Sequence, residues 1–410
     1  MNSYLKALLL ALLCLGPVAW TQPHERMTQT GDPPSLNVEI VKTWNLGVYP
    51  GGTWVNTTDI NDFGFAVGAG DVPNKDTGVL ETHTLGVPLF GPQQGKWIDM
   101  GTLGGVITGW DEAVLKVSNT GVVATHSAVP GGLWHAAAWT EKTGMFDLGT
   151  LVDLGYADYK ESVACAINRS GTLIVGQGWT EDHAHQLPMV WTPSMQWNDH
   201  QFSTVWKMQV LPITGFEEYP TFVAWEVNDV GQIIGLAENS DTSRIVGIVW
   251  NPLPRGQGWK PIGVPSYQDM PFIDPFAINN KGVIVGSAIS ADGLWFSIMW
   301  KPLNPQRDAY GSPVLLKQPD GFPYGFPDGI NELGDITGTQ WGDITAEGVL
   351  WSVNEPDFVA SLGLPGDWSN VWKVNNFRIA IGFFGGGPCA VPGGTCAAAS
   401  QFRYIPGGHH

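Results

Sequence analysis

Aromatic and acidic residues recur together in the segments of this chain that separate its apolar stretches. Aromatic planes stack on the C–H faces of sugar rings, and carboxylates accept hydrogen bonds from sugar hydroxyls. This pattern favours a site for a glycan or for another extracellular protein. In the alternative, structural interpretation, the aromatic residues complete the core and the acids face water. The candidate ligand-binding residues are Trp110, Asp111, Glu112, Trp134, His135, Tyr156, Trp179, Glu217, Tyr219, Trp341, Asp367 and Trp368.

Some of the same acids permit a catalytic interpretation. Two carboxylates among Asp111, Glu112, Glu217 and Glu218 could act as general acid and base in a secreted hydrolase or lyase that acts on carbohydrate. Neighbours such as Glu217 and Glu218 point opposite ways on a strand, so their adjacency is no evidence of a catalytic pair. The sequence contains no nucleophile elbow, metal motif, phosphate loop or nucleotide fingerprint, and we predict no catalytic residues.

Metal binding has weak support in the sequence. No Cys/His spacing resembles a zinc site. His183 and His185, with Glu181 and Asp182 beside them, lie in a loop rather than on one face of a strand. We therefore predict no metal and no cofactor, with calcium on the acidic loops as the alternative, although no Asp-x-Asp-x-Asp-Gly loop is present.

The elements that must position these residues are repeats. A phrase of the form [Ile/Val]-Asn-x-x-Gly-x-x-[Val/Ile]-Gly occurs seven times, at steps of 44 to 60 residues. In the second copy Ser118 replaces the Asn, and in the last copy Arg378 replaces the first Gly. The Asn-x-x-Gly tetrapeptide predicts a hairpin turn, in which Gly supplies a positive φ and Asn caps the backbone. The Asn position of the seven copies is occupied by Asn61, Ser118, Asn168, Asn228, Asn279, Asn331 and Asn375.

Each repeat predicts four strands. A third apolar segment ends in an aromatic residue, usually Trp, and a fourth carries Leu-Gly or a relative of it. We expect the Trp residues to fill the space between neighbouring sheets. Four-stranded units at this period predict an all-β fold, a seven-bladed β-propeller of four-stranded blades. The third-segment Trp residues are Trp139, Trp191, Trp250, Trp300 and Trp351.

The chain ends indicate how the ring closes. The last repeat stops after its third strand, while residues 38–47 supply a spare strand of the fourth type. We therefore predict that an N-terminal strand completes the last blade and abolishes a free edge. The predicted organisation is a signal peptide at 1–22, a flexible segment at 23–35, a single propeller at 36–405 and a tail at 406–410.

The N-terminus and the cysteines indicate an exported protein. Lys6 precedes an apolar run that is too short to span a bilayer and that fits a secretory signal peptide. We expect a secreted, extracellular or periplasmic protein without a membrane span. Cys14 raises the question of a lipid anchor. Cys389 and Cys396 bracket a turn-rich loop and are predicted to form a disulfide, whereas Cys165 lies in an apolar strand and is predicted to be a core residue.

The net charge of the chain argues against anionic partners. A formal charge of −18 repels phosphate backbones and anionic membranes, so nucleic acid is not an expected partner. We expect a monomer. In four repeats the residue directly before the Ile/Val of the repeated phrase is charged. We expect these four residues to line a central channel and to pair there. These are Asp59, Lys116, Glu226 and Lys373.

The repeated motifs resemble the bacterial extracellular HAF repeat family. The resemblance lies in Asp99–Gly105, in Trp134–Trp139, in Asp147–Leu151 and in the Asn-Gly phrases, and it covers roughly residues 44–402. It implies a secreted, propeller-like repeat protein. It brings no established enzymatic activity and no catalytic residues.

Strand order predicts where a site lies. Connections from strand two to three and from strand four to the next strand one share one side of the ring, which we call the long-loop face. Binding residues concentrate on loops that a rigid scaffold holds, so we expect the site there. Three functions remain open: a non-enzymatic binding propeller, a secreted carbohydrate-active enzyme, and a structural protein of an extracellular assembly.

Overall fold

The computed structural model describes residues 36–105, 115–198, 201–319, 322, 324–342, 345–389 and 391–406. The predicted signal peptide, the segment 23–35, Cys14 and almost all of the predicted tail lie outside the described residues. Trp110, Asp111 and Glu112 lie outside them as well.

The described chain is built of short antiparallel strands. The first sheet contains β2 (Val55–Ile60), β3 (Phe65–Pro73), β4 (Leu80–Pro88) and β5 (Ile98–Asp99). The second contains β6 (Lys116–Val117), β7 (Val123–Ala128), β8 (Trp134–Thr140) and β9 (Gly144–Asp147).

A larger sheet of twelve strands follows. It contains β10 (Glu161–Ile167), β11 (Ile174–Trp179), β12 (Gln186–Asn198), β13 (Gln201–Val210), β14 (Thr221–Val227), β15 (Ile233–Asn239), β16 (Arg244–Pro252), β17 (Trp259–Gly263), β18 (Phe272–Ile278), β19 (Ile284–Ile289), β20 (Trp295–Trp300) and β21 (Val314–Leu315).

Two more four-stranded sheets complete the ring. One contains β22 (Tyr324–Ile330), β23 (Asp335–Trp341), β24 (Ala346–Ser352) and β25 (Val359–Ser361). The other contains β26 (Trp368–Val374), β27 (Ile379–Gly385), β28 (Thr395–Pro406) and β1 (Leu36–Gly47). The helical elements in the described residues are two 3-10 turns, Leu151–Leu154 and Pro254–Gly256.

The prediction of seven four-stranded blades is wrong. The fold is an all-β propeller, but its described strands form four four-stranded blades and one twelve-stranded sheet. The large sheet arises because Gln186 pairs in parallel with Thr221, and Ile245 with Phe272. These two pairs continue the hydrogen bonding from β12 to β14 and from β16 to β18. The sequence pattern does not encode such single pairs, because they depend on where the loops bring neighbouring strand ends together.

The N-terminal strand β1 pairs antiparallel with β28, from Leu36 opposite Pro406 to Gly47 opposite Ala397. The last sheet thus joins the two ends of the described chain, and β28 lies between β1 and β27. In the loop before β28, Cys389 and Cys396 form a disulfide with their Cα atoms 5.5 Å apart. Cys165 is buried.

The Asn-x-x-Gly turns are stabilised within each repeat and between repeats. In the first turn, the Asn61 side-chain oxygen accepts the backbone N–H groups of Phe63 and Phe65, both at 3.0 Å. Its side-chain amide donates to the carbonyl of Ser118 in the next turn, at 3.1 Å. Glycine suits the fourth turn position because φ there is positive, as at Gly64, where it is 76°.

Similar bonds continue around the ring, and we call the set the turn belt. The amides of Asn228, Asn279 and Asn331 each donate to the carbonyl of the next turn, at 2.9 to 3.1 Å. Asn375 donates to Asn61 at 3.0 Å and so returns to the first turn. Two junctions use other groups: the Asn119 N–H donates to the Arg169 carbonyl at 2.7 Å, and the Ser170 N–H donates to Asp229 at 2.7 Å.

Steric crowding explains why the second glycine of the repeated phrase must be a glycine. The innermost strand contains a register shift at six of the repeats, next to the residue that faces the channel. The shift brings a backbone carbonyl oxygen of the partner strand to about 2 Å from where a Cβ would stand, so only glycine fits. These glycines are Gly68, Gly176, Gly235, Gly286, Gly338 and Gly382.

The core lies between neighbouring repeats, and the Trp residues fill it as expected. Trp191, Trp250, Trp300 and Trp351 are fully buried. Each indole N–H donates to a backbone carbonyl of the preceding repeat, at 2.7 to 2.9 Å. The Trp at this phase therefore packs and hydrogen-bonds across the junction, which satisfies its one polar atom.

A cross-strand His–Asp pair occurs in each of the first two repeats. Nδ1 of His83 lies 2.7 Å from Asp99, and Nδ1 of His135 lies 2.8 Å from Asp147. Each carboxylate also accepts the backbone N–H two residues further on, at 2.9 and 2.7 Å. Although burial alone would lower it, the hydrogen bond and charge of Asp99, and then those of Glu81, raise the pKa of His83.

The turn belt predicts that two substitutions within one turn, at Asn279 and at Lys281, change the stability of the protein by different amounts. Asn279 is buried, accepts two backbone N–H groups and donates to the Asn331 carbonyl. We expect Asn279→Ala to lower the free energy of unfolding by about 2 kcal/mol, because buried backbone groups lose their partners. Urea denaturation measures it. Lys281→Ala, at an exposed position of the same turn, is the control and should change stability by less than about 0.5 kcal/mol. Equal effects would contradict the role of the belt.

The raised pKa of His83 predicts a pH-dependent stability. A pKa above the ordinary value of 6.5 means that the pair stabilises fully below that value and loses this contribution as the pH rises through the folded-state pKa. The stability difference between the native protein and His83→Gln should therefore shrink as the pH is raised from about 6 to about 8. Thermal unfolding at a series of pH values measures it. A difference that does not depend on pH would refute the ion pair.

Candidate functional site

A groove on the long-loop face lies between the third and fourth repeats and has a volume of about 450 Å³. Buried Tyr219 and Phe222 line it together with half-buried Tyr159. Exposed carboxylates also line it. The full lining is Tyr159, His185, Leu187, Ile213, Glu217, Glu218, Tyr219, Pro220, Phe222, Asn239 and Asp241.

Tight turns hold the groove wall between β13 and β14. The Phe216 N–H donates to the Ile213 carbonyl at 2.9 Å, and the Tyr219 N–H donates to Phe216 at 3.0 Å. Across the junction, the Asn239 side-chain amide donates to the Glu218 carbonyl at 2.7 Å. These bonds thus fix the β13–β14 connection and join it to the end of β15 on the other side of the groove.

The electrostatics of the groove are acidic. The Gly215 N–H donates to Glu217 at 3.0 Å, and this bond, followed by the residue's own N–H, lowers the pKa of Glu217. Glu217 is therefore ionised at neutral pH. The pKa of Tyr159 is raised, mainly by burial. The nearby hydroxyl of Tyr156 and then the charges of Asp158 and Asp182 contribute to the same shift.

Two predicted site residues, Trp134 and Trp179, donate hydrogen bonds to the same carboxylate, Glu161, which was not among the predicted residues. Glu161 is 6 % exposed and accepts the Trp134 backbone N–H at 3.2 Å and the Trp179 indole N–H at 2.8 Å. His183 stacks on Trp179, with ring centroids 5.6 Å apart, and its Nε2 lies 3.5 Å from Glu161. The carboxylate orients the Trp179 ring and fixes the backbone at Trp134, and the exposed edge of the cluster is His183. The only sequence signal for Glu161 was its position directly after the aromatic loop that contains Tyr159.

The other predicted residues of repeats two to four have distinct places. Tyr219 and Glu217 line the groove. Tyr156 is 43 % exposed and stands edge-on to Tyr159, with centroids 6.0 Å apart, so it extends the groove wall. His135 contacts Asp147 in the cross-strand pair described above and does not line the groove.

Trp341, Asp367 and Trp368 lie in the last two repeats, away from the groove. The Asp367 carbonyl accepts the Thr345 hydroxyl at 3.1 Å, which joins these repeats. Trp368 stands edge-on to Phe383, with centroids 6.0 Å apart. Trp341 is half-buried at the end of β23, opposite Tyr324. The structure therefore distributes the described candidates among the groove, the Glu161 cluster, the His135–Asp147 pair and the last two repeats.

The central channel is the second place where charges converge. Of the four charges expected to pair there, Glu226 and Lys373 pair with each other, whereas Asp59 pairs with Arg169, which was not among them. Nζ of Lys373 lies 2.6 Å from Glu226, and the Arg169 guanidinium lies 3.3 Å from Asp59. Although burial opposes its ionisation, Lys373 and then Lys116 lower the pKa of Glu226. Burial, and then the charge of Lys373, lower the pKa of Lys116 to about 8. The cavity lined by Asp59, Arg169, Glu226 and Lys373 has a volume of about 60 Å³.

Within the described residues, no three His, Cys, Asp or Glu side chains are placed to hold a metal ion. His183 contacts Glu161, whereas His185 faces the groove. None of the helices in the described part of the chain is long and apolar enough to cross a bilayer.

Comparisons with known proteins identify the scaffold. No protein-family model matches the chain, and no curated protein matches it. Among solved structures it is similar to the β-propeller domain of the Trilobed protease from Pyrococcus furiosus, with 8 % identity over 81 % of this chain and 90 % of that chain, at a TM-score of 0.51.

It is also similar to the uncomplexed acylaminoacyl peptidase of Pyrococcus horikoshii, with 9 % identity and a TM-score of 0.50. That match covers 83 % of this chain and spans 50 % of the peptidase chain. At such low identity these likenesses show the fold alone: the protein has a β-propeller scaffold.

Proposed function

We propose that this protein is a non-enzymatic binding propeller that holds a glycan or an extracellular protein in the groove between its third and fourth repeats. The observation that carries the proposal is the groove itself. It combines aromatic walls with ionised carboxylates on loops held by hydrogen bonds. Aromatic faces and carboxylates together suit sugar rings and their hydroxyls.

The state of Glu217 supports binding rather than hydrolysis. A general acid at neutral pH needs a raised pKa, usually from an apolar surrounding. Glu217 instead is exposed, and the Gly215 N–H lowers its pKa. It is suited to accept hydrogen bonds from a ligand.

We also propose that the protein is exported and belongs to the HAF repeat type. The His135–Asp147 pair supports this assignment, because it links the His-Ala motif at His135 to the Asp-x-Gly motif at Asp147. The His83–Asp99 pair repeats the same contact in the first repeat, although Thr84 stands there in place of the Ala. The Cys389–Cys396 disulfide supports an oxidising compartment.

The test is retention and product release on an array of bacterial and plant glycans. We expect retention without release, and we expect Tyr159→Ala and Glu217→Gln each to weaken it by about tenfold, since each removes one good contact. Soluble product would instead establish the alternative, a carbohydrate-active enzyme.

Asp367→Asn is the matched control, because it makes the same acid-to-amide change on the same face outside the groove. It should leave retention unchanged. If Asp367→Asn removes retention and Glu217→Gln does not, the site lies in the last two repeats and the groove assignment is refuted. If the array shows neither retention nor product release, and the protein binds no extracellular protein, the binding function is refuted.

A further inference from the structure

One hairpin projects beyond the others at the end of the ring that carries the turn belt, which we call the turn face. Strands β12 and β13 have 13 and 10 residues, whereas the equivalent β16 and β17 have 9 and 5. The pairing continues past buried Trp191, from Thr192 opposite Lys207 to Asn198 opposite Gln201. At about 3.3 Å per residue, this extension reaches about 20 Å beyond Trp191. We call residues 192–198 and 201–207 the ribbon.

The ribbon presents large apolar side chains to solvent. Met195 is 64 % exposed and Trp197 is 57 % exposed. The Thr204 hydroxyl approaches the Met195 sulfur at 3.6 Å, which orders that side chain on the ribbon. Exposed Trp and Met side chains on a projecting element mark interaction surfaces.

The ribbon and the groove lie at the two ends of the same strand. β12 begins at Gln186, between His185 and Leu187 of the groove lining, and it ends in the ribbon. A second copy of the chain, displaced along the direction of β12, would therefore bring its ribbon over the groove of the first copy.

The charges at the two ends are complementary. Glu217, Glu218 and Asp241 are exposed at the groove. Exposed basic residues lie on and around the ribbon. Lys207 lies on β13 in the ribbon itself, and Lys142 and Arg255 lie on the connections between the third and fourth strands of the second and fourth repeats, with the exposed acid Glu141 beside Lys142. Complementary surfaces of this kind fix the register of a contact and speed its formation.

We propose that copies of this protein associate head to tail, with the ribbon of one copy in the groove of the next. This inference rests on the groove being the binding site, and it replaces the expectation of a monomer. The two surfaces of the contact differ, so each added copy leaves one free ribbon and one free groove. Such contacts generate open linear stacks rather than closed dimers.

Sedimentation velocity of the purified mature protein over a wide range of concentration is the test. The average mass of the native protein should rise with concentration. Trp197→Ser, which loses the ribbon contact, and Glu217→Lys with Glu218→Lys, which reverses the groove charge, should each remain monomeric. Mixed together, these two variants should form dimers and nothing larger, because each retains the surface that the other lacks.

Phe377→Ser is the control. Phe377 is 63 % exposed on the turn face, but in the last repeat, so its loss should leave the mass profile unchanged. A native protein that stays monomeric, or a mixture of the two variants that forms no dimer, would overturn the inference.

Glycan retention separates this inference from the proposed function. Trp197→Ser leaves the groove intact and removes the competing ribbon of the neighbouring copy, so it should retain glycan at least as well as the native protein although it no longer associates. A monomeric native protein that still retains glycan would overturn self-association and leave the proposed function standing. A native protein that associates but retains no glycan and no extracellular protein would overturn the proposed function and leave self-association standing.

Discussion

The turn belt is the interaction on which the rest of the structure depends. An Asn side chain such as Asn279 uses its oxygen to close its own turn and its amide to bond the next turn, so local folding and ring assembly share one residue. Asn375 returns the belt to Asn61, so its ends are joined. The bulges beside the belt bring strand backbones so close that glycine is required at Gly235 and its equivalents. The repeated phrase is therefore the signature of a ring and not only of a turn.

Because the belt holds one end of every repeat, the opposite end is free to vary. The connections there differ in length and residues, and between the third and fourth repeats they form the groove. The indole bond of Trp250 fixes this junction from the core side, and that of Trp191 fixes the preceding one. The groove is thus placed between two rigid units, which keeps its aromatic walls and carboxylates in position without a ligand. The channel pairs, such as Lys373 with Glu226, satisfy buried charge and contribute to the same rigidity.

Features that depend on local chemistry could be predicted from the sequence. The turns, the buried Trp residues, the Glu226–Lys373 pair and the N-terminal strand beside β28 follow from spacing and residue type. The number of separate blades could not be predicted, since single parallel pairs such as Gln186 with Thr221 depend on loop paths. Glu161 was missed because nothing local distinguishes a carboxylate at the start of a strand from a solvated one. The groove was only partly foreseen: Glu217 and Tyr219 were candidates, but Asn239 and His185 reach it only through the contact between two repeats. His135 was assigned to a ligand although Asp147, on the adjacent strand, holds it.

Hydrogen exchange of the belt amides tests the central claim most directly. The backbone N–H groups of Asp229, Asn280 and Glu332 lie in turns at the surface, but each donates to a side chain of the following turn. If the belt holds the ring together, these amides should exchange only through global unfolding, with the same denaturant dependence as core amides of β19. Exchange through local opening that does not depend on denaturant, as in an ordinary surface turn, would show that the turns are not coupled and would contradict the account.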